Sequence, residues 1–263
     1  MIQSVLQHLP DNHPWKDRIH YFDCVDSTNT LAKEMAKAGA PHGSVLIADR
    51  QTAGRGRLGR SFLSPGGMGI YMSVILRYQC TASELMHLTC ACGVGLCNAV
   101  ESVLQVRPGI KWINDLVYDA KKLAGILTEL VFTGNEICAI VGIGLNCGQA
   151  EDAFDPQIRS IATSAAIITG RQPNRGQLIA RILMELSSVD QKLLSHRDAL
   201  MDAYRADCIT LKKAISIHRG DDVQHGTALD ILSDGSLLVR FDDGSVGAVN
   251  SGEVSVRGMY GYV

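Results

Sequence analysis

The sequence lacks an excess of either charge sign. Its 25 lysines and arginines stand against 27 aspartates and glutamates, a formal net charge of −2. Broad binding to nucleic acid or to an anionic membrane surface usually shows as a basic excess, so any anion site here must be local. No apolar run reads as long enough to span a membrane, and Met1 to Trp15 has no basic stretch leading into an apolar one. Neither a membrane span nor a secretory signal is expected. Among the eight cysteines no Cys-x-x-Cys spacing occurs, and most lie in apolar stretches. They read as buried, reduced thiols of a cytoplasmic protein. His87, Cys90, Cys92 and Cys97 are close in sequence, but their spacing fits no standard zinc pattern, so no metal ligands are expected. Gly-x-Ser-x-Gly and His-Glu-x-x-His are missing as well, as is the Lys-x-Asp-Gly of ligases that carry AMP on lysine.

What is present is an ordinary globular composition, 46% hydrophobic and 20% charged over 263 residues. That suffices for one large domain, or one large and one small, without disulfide or metal staples. Asp26-Ser27 precedes apolar residues at helical spacing (Leu31, Met35, Ala38), and Gly39 follows, which predicts a capped helix with a glycine stop. Strands are expected over Ser44 to Ala48 and Gly69 to Leu76, and a long apolar helix runs to about Leu104 after the Thr81/Glu84 capping box. Ile110 to Tyr118, Leu123 to Phe132 and Ile137 to Leu145 read as antiparallel strands. Helical stretches are expected over Ile161 to Thr169 and from Asn174 to about Ala206. From Leu211 onward short strands (Ala214 to His218, Thr227 to Leu232, Ser236 to Phe241, Val246 to Val249, Val254 to Val256) separated by tight glycine turns suggest a small barrel. The boundary is placed to give domains 1–210 and 211–263.

Gly54-Arg55-Gly56-Arg57-Leu58-Gly59-Arg60 carries the clearest chemistry. It satisfies the dinucleotide-binding spacing and nearly satisfies the P-loop, but both need a helix directly afterwards, and Ser64-Pro65-Gly66-Gly67 and then a strand follow instead. As a mere surface loop it would concentrate the like charge of Arg50, Arg55, Arg57 and Arg60 without compensation. Glycines let backbone N–H groups approach a ligand, and arginine offers planar paired donors for phosphate or carboxylate. The loop is therefore expected to bind an anion, one bearing phosphate.

A second constellation is Lys111-Trp112-Ile113-Asn114-Asp115-Leu116 followed by Lys121 to Leu127. With Ala120-Lys121 as a two-residue loop, Lys111, Asp115 and Lys122 share one face, and a one-residue slip would scatter them. A solvated polar face with a surface ion pair explains the same pattern equally well. Ser27, Thr28 and Asn29 can cap the first helix and recognise a ligand at its end. Gly142 and Gly144 end a strand, through close approach of a ligand or through a simple bend.

Together these motifs resemble the biotin–protein ligase family. The matches are Ser27-Thr28-Asn29, Gln51-x-x-Gly54-Arg55-Gly56-Arg57-x-Gly59-Arg60, Lys111-Trp112-x-Asn114-Asp115, Lys122-Leu123-Ala124-Gly125-Ile126-Leu127, Gly144-Leu145-Asn146, and Gly252 to Arg257 at the end. The resemblance implies an α+β fold: a mixed, largely antiparallel sheet flanked by helices, related to class II aminoacyl-tRNA synthetases and lipoate ligases, with a C-terminal SH3-like barrel. It implies that ATP and biotin are substrates, that Mg²⁺ assists, and that biotin is activated as biotinyl-5′-AMP before transfer to a lysine of a biotin carboxyl carrier domain. By resemblance Lys122, Asp115 and Arg57 are catalytic. Ser27, Thr28, Asn29, Gln51, Gly54, Arg55, Gly56, Arg57, Arg60, Phe62, Lys122 and Gly125 contact biotin or the adenylate. Tyr71 and Gly142 line the biotin pocket. Lys111, Asn114, Asn146 and Arg257 contact nucleotide. The sequence departs from the family at Phe62, commonly tryptophan, and at Ile113, commonly proline. Only about twenty residues precede the first motif, too few for a winged helix-turn-helix, so no DNA binding and no repressor role are expected. The family often dimerises, although no residue here locates an interface. A lipoate or octanoate ligase, and a non-catalytic sensor, are the competing readings.

Overall fold

The computed structural model describes residues 1–250 and 255–258. The chain opens with α1 (Ile2–His8) and β1 (Ile19–Val25), neither of which was foreseen. Next come α2 (Thr28–Lys37), β2 (Ser44–Gln51), β3 (Gly69–Tyr78) and α3 (Leu88–Leu104). The expected strand over Ile110 to Tyr118 is in fact two, β4 (Gly109–Lys111) and β5 (Asp115–Tyr118), separated by a turn at 112–114. β6 (Lys121–Thr133) and β7 (Glu136–Asn146) complete one sheet of order β1-β2-β3-β7-β6-β5-β4. Only β1 and β2 run parallel, and every other neighbour is antiparallel, so the sheet is mixed as expected.

The helical stretch at Ile161 to Thr169 is shorter than expected: α4 spans Ala165–Thr169 and is capped by Ser164, whose hydroxyl accepts from Ile167 N–H at 3.2 Å. Asn174 to Ala206 is not one helix but α5 (Arg175–Lys192) and α6 (Arg197–Asp207). Leu193 is fully buried and continues the apolar stripe, so periodicity alone could not show the break. The two faces of the sheet are covered differently. α2 lies on one face, burying Ala32 and Ala36 against Leu46, Ile75 and Ile140. α3 lies on the other and packs against α5 within the main core. By length and composition Ala82–Leu104 could cross a membrane, contrary to the sequence expectation, but 72% of its apolar 18-residue stretch is buried inside the fold. It is a core helix, apolar nearly all round for that reason.

The last part is a second sheet of β8 (Ala214–Arg219), β9 (Asp222–Ile231), β10 (Leu237–Phe241), β11 (Val246–Val249) and β12 (Ser255–Gly258), in order β11-β10-β9-β8-β12. It is antiparallel throughout, an SH3-like unit. The strand expected at Val254 starts outside the described residues. This sheet is docked firmly on the first. Trp112 Nε1–H donates to the Gly235 carbonyl at 2.9 Å, and Arg205 donates to the Ile231 carbonyl at 2.6 and 2.8 Å. Trp112 N–H also donates to Thr210 Oγ1 at 2.9 Å.

Candidate active site

The N-terminus of α2, the segment 51–62, and the adjoining strands β6 and β7 enclose a cleft of about 470 Å³, part of it open to solvent. Ser27 caps α2 and accepts from Thr30 N–H at 3.5 Å, and Ser27, Thr28 and Asn29 all face the cleft while almost fully buried. Thr28 N–H donates to Gln51 Oε1 at 2.8 Å, and Gln51 Nε2 donates to Ser64 Oγ at 2.8 Å. The helix end is thereby tied to the strand that leads into the glycine-arginine loop.

That loop closes on itself. Phe62 N–H donates to the Gly54 carbonyl at 2.8 Å and Gly56 N–H to the Arg60 carbonyl at 2.7 Å. Leu58 and Gly59 form the tip with φ of +55° and +73°. No helix follows, in keeping with the argument against a dinucleotide loop. A Cβ on Gly54 would stand 2.3 Å from the Phe62 carbonyl, so its lack of a side chain lets the neck of the loop shut. Arg55, Gly56, Arg57 and Phe62 face the cleft. Arg57 Nη1 donates to Asn114 Oδ1 at 3.1 Å, and burial lowers the Arg57 pKa below its ordinary value.

Lys122 enters from the opposite side. The hairpin loop before it is Asp119-Ala120, not Ala120-Lys121, because these two residues adopt left-handed φ of +47° and +59° and Tyr118 pairs with Lys121. The pairing shifts by one between Leu116 and Val117, so that Val117 faces Lys122 but Asp115 faces Gly125. The irregularity leaves Lys122 Nζ 2.7 Å from Asp115 Oδ1, with both side chains largely buried. Asn114, Gly125 and Gly142 also line the cleft, Asn114 donating to the Ile126 carbonyl at 3.0 Å.

A second cleft adjoins the first. Arg60, Ser61, Leu63, Asn146 and Phe154 help line it, and Phe62 and Lys122 belong to both. Asn146 is held by donating to the Thr163 carbonyl at 3.0 Å.

Tyr71 and Lys111 line neither cleft. Tyr71 is fully buried, donates to the Pro65 carbonyl at 3.0 Å, and meets Phe62 edge-on with ring centres 6.3 Å apart. It supports the cleft wall from behind. Lys111 lies in β4 opposite Asp115, buried and outside both clefts. Arg257 pairs with Ser216 through its backbone, and its side chain is outside the described residues. Ile126, Leu127, Ile143 and Gly144 line the first cleft without having been named as contacts. Ser73 and Glu129 were missed entirely, although each is a polar residue inside an otherwise apolar strand and so called for a buried partner. Glu129 receives Lys33 Nζ and Asn29 Nδ2, each at 2.9 Å, with Arg55 3.9 Å away. Burial pushes its carboxyl up, but these donors hold it below its ordinary value. Among the described residues no group of three His, Cys, Asp or Glu side chains is placed to hold a metal ion.

Comparison with known proteins follows the same division of the chain. Residues 21–146 match the biotin/lipoate A/B protein ligase family, and residues 210–257 match the biotin protein ligase C-terminal domain. The bifunctional ligase/repressor BirA of Bacillus spizizenii is 33% identical over 229 residues, covering 85% of this chain and 70% of the relative. The biotin–[acetyl-CoA-carboxylase] ligase of Mycobacterium tuberculosis is 33% identical over 238 residues, covering 87% of this chain and 85% of the relative. The structure of the Aquifex aeolicus biotin protein ligase in complex with biotin and ATP superposes with a TM-score of 0.78 at 29% identity, covering 92% of this chain and 99% of that one. Agreement of sequence over most of both relatives, and of fold over nearly the whole solved chain, means that this protein belongs to the biotin protein ligase family of enzymes.

Proposed function

We propose that the enzyme activates biotin with ATP to biotinyl-5′-AMP and transfers the biotinyl group to one lysine of a biotin carboxyl carrier domain. The observation that carries this reading is the position of Lys122 at the junction of the two clefts. One cleft, walled by Ile126, Leu127 and Ile143 with polar groups at the α2 end, suits an acid with an apolar chain. The other, walled by Phe62, Leu63 and Phe154 beside Asn146, suits the adenosine part of a nucleotide. A carboxylate from the first and an α-phosphate from the second meet where the Lys122 ammonium is held.

In the first step a biotin carboxylate oxygen attacks the α-phosphorus and pyrophosphate leaves. Two anions must approach, and Lys122 with Arg55 and Arg57 offsets their repulsion as charge builds on the phosphorus. Mg²⁺, which prefers phosphate oxygens and water to an all-protein cage, would arrive on the triphosphate and neutralise the leaving pyrophosphate. In the second step the carrier amine attacks the acyl carbon, AMP leaves, and the amine gives up a proton. Asp115, 2.7 Å from Lys122, takes the proton or orients the amine. The reading also sets a catalytic part, 1–210, against the SH3-like part, 211–263, supported by the separate sheets and by the match over 210–257. It assigns the described residues no repressor role and places the enzyme in the reducing cytoplasm, which fits eight unbridged cysteines.

The test is to supply ATP with biotin, lipoate or octanoate, measure pyrophosphate release, and then add an apo carrier domain. Biotin-dependent release followed by biotinylation of the carrier supports the reading. Activity with lipoate but not biotin would sink it, and a bound adenylate that never transfers would make the protein a sensor.

A further inference from the structure

Asn29, the second residue of α2, faces the cleft, yet its amide is already committed inside the protein. Its Nδ2 has two hydrogens, and both find acceptors: Glu129 Oε2 at 2.9 Å and the Leu127 carbonyl at 3.2 Å. Its Oδ1 accepts from Ser73 Oγ at 2.7 Å. Two acceptors on one side and a hydroxyl on the other dictate which way the amide points. The other flank of Oδ1 is closed by β7, since a Cβ on Gly142 would stand 2.0 Å from it. Gly142 is thus bare to admit Asn29.

We propose that Asn29 is a positioning residue and not a ligand donor. It is clamped between Ser73 of β3, Glu129 of β6 and the Cα of Gly142 in β7, and the clamp sets biotin affinity by fixing the first turn of α2 and the loop together.

The connections run to both sides of the cleft. Ser73 Oγ also lies 2.8 Å from Thr28 Oγ1, whose residue is bonded to Gln51. Ser73 has one hydroxyl hydrogen, so when it donates to Asn29 the Thr28 hydroxyl is the donor toward Ser73 or Gln51. Glu129 holds Lys33 on the next turn of the same helix and faces Arg55 of the loop across 3.9 Å. One carboxylate therefore restrains the helix end directly and the loop through charge. Ser73 is fully buried, so losing its partner would leave a polar group unsatisfied and free the amide to turn. A freed amide lets α2 settle differently against β3 and β6, and the hydroxyls of Ser27 and Thr28 move with it.

This inference rests on the biotin-ligase reading, and the wild-type enzyme separates the two. If the wild type shows no biotin-dependent pyrophosphate exchange, the reading fails. If it does, variants test the clamp. Ser73→Ala and Glu129→Ala are each expected to raise the biotin KM about tenfold with kcat within about twofold. Glu129→Gln, which keeps an acceptor oxygen for Asn29 but loses the charge facing Lys33 and Arg55, is expected to raise KM by about threefold, clearly less than Glu129→Ala, and a rise equal to that of Glu129→Ala would overturn the role of the Asn29 bond. The double variant Ser73→Ala/Glu129→Ala should raise KM no further than either single change, because one loss already frees the amide. Gly142→Ala, which touches neither partner but displaces Asn29, should raise KM alike. Should that variant fail to fold, the other four measurements decide. The proposal is overturned if the single changes multiply in the double variant, or if they lower the melting temperature while the biotin KM stays put. The second result would make the network a structural core and nothing more.

Discussion

The two charged segments that meet in the cleft are built in opposite ways. The glycine-arginine loop has its neck shut by backbone bonds between Gly54 and Phe62 and between Gly56 and Arg60. Its reach across the cleft includes Arg57 on Asn114 and the longer approach of Arg55 to Glu129. The turn at 112–114 and the hairpin that follows are instead braced from behind. Trp112 is tied to Thr210 and Gly235, the Ile113 carbonyl accepts from Tyr204, and Asn114 exchanges bonds with Ile126. A loop pinched at its neck can close over a ligand, and a braced hairpin can hold a charge still during chemistry. On the proposed mechanism both regions bring positive charge to the reacting anions, and the contrast predicts that the hairpin contributes mainly to the rate and the loop to binding as well.

The sharpest way to break that division is Lys122→Ala. If the hairpin supplies stabilisation of the transition state, biotin-dependent pyrophosphate exchange should fall about 10²- to 10³-fold, with biotin binding by calorimetry changed far less. A loss confined to KM would move Lys122 to the binding side and erase the contrast. Within the loop, Gly54 and Gly59 make a matched pair. A Cβ at Gly54 collides with backbone, so Gly54→Ala should open the neck and lower kcat/KM by about tenfold or more. Gly59 has a left-handed φ but open space around it, so Gly59→Ala should cost only about 1 kcal/mol in stability, read by urea unfolding, with little change in kcat/KM. Equal losses in both would mean the loop works as a rigid block.

Much of this was legible in the sequence, and unevenly. The loop could be separated from phosphate-binding lookalikes because the residues after it, Ser64 to Gly67, forbid a helix start. The face shared by Asp115 and Lys122 was legible too. The turn lies one residue earlier than expected and a bulge was unforeseen, yet the pair is in contact. Tyr71 was misplaced because an aromatic in an apolar strand looks the same whether its ring faces a ligand or a neighbouring ring. β1 was missed because it is an edge strand with much of its surface exposed, lacking a buried strand's continuous apolar run. The α5–α6 break left no mark because Leu193 suits a helix stripe as well as a turn packed on the core. The Asn29 clamp joins residues from positions 29, 73, 129 and 142, so periodicity could show only that Ser73 and Glu129 needed partners.

Trp112→Phe tests the brace. The phenyl ring fills most of the same space but returns no donor to the Gly235 carbonyl, which is left with a 3.9 Å contact from Cys90 Sγ. The expected loss is about 1–2 kcal/mol of unfolding free energy, with pyrophosphate exchange within about threefold of wild type, because Thr210, Tyr204 and Ile126 still hold the turn. A large drop in rate with little loss of stability would show that the second sheet tunes the site through this one bond.

The smallest effect is expected where neither region is involved. His42 Nε2 lies 3.0 Å from Asp190 Oδ2, its Nδ1 accepts from Arg77 N–H, and Tyr78 donates to the other Asp190 oxygen. Trp15 packs edge-on against its ring, and Arg18 bonds the His42 carbonyl. The hydrogen bond to Asp190 raises the His42 pKa above its usual 6.5, outweighing burial and the Arg18 charge, and the gain is reduced because the charged ring must give up the bond that its neutral Nδ1 accepts from Arg77 N–H. A histidine whose folded pKa exceeds its unfolded one stabilises the fold fully below the unfolded value, and that contribution is lost as pH rises through the folded value. The ring is about a third exposed, so the gain is held to about 1 kcal/mol or less by solvent screening. His42→Asn keeps an acceptor for Arg77 and removes the charge. Its unfolding free energy should therefore trail wild type by more at pH 5.5 than at pH 9, while activity at any one pH is unchanged. A gap independent of pH would mean that the imidazole acts by packing against Trp15 and not through Asp190. A matching change in the biotin KM would tie this corner of the fold to the cleft after all.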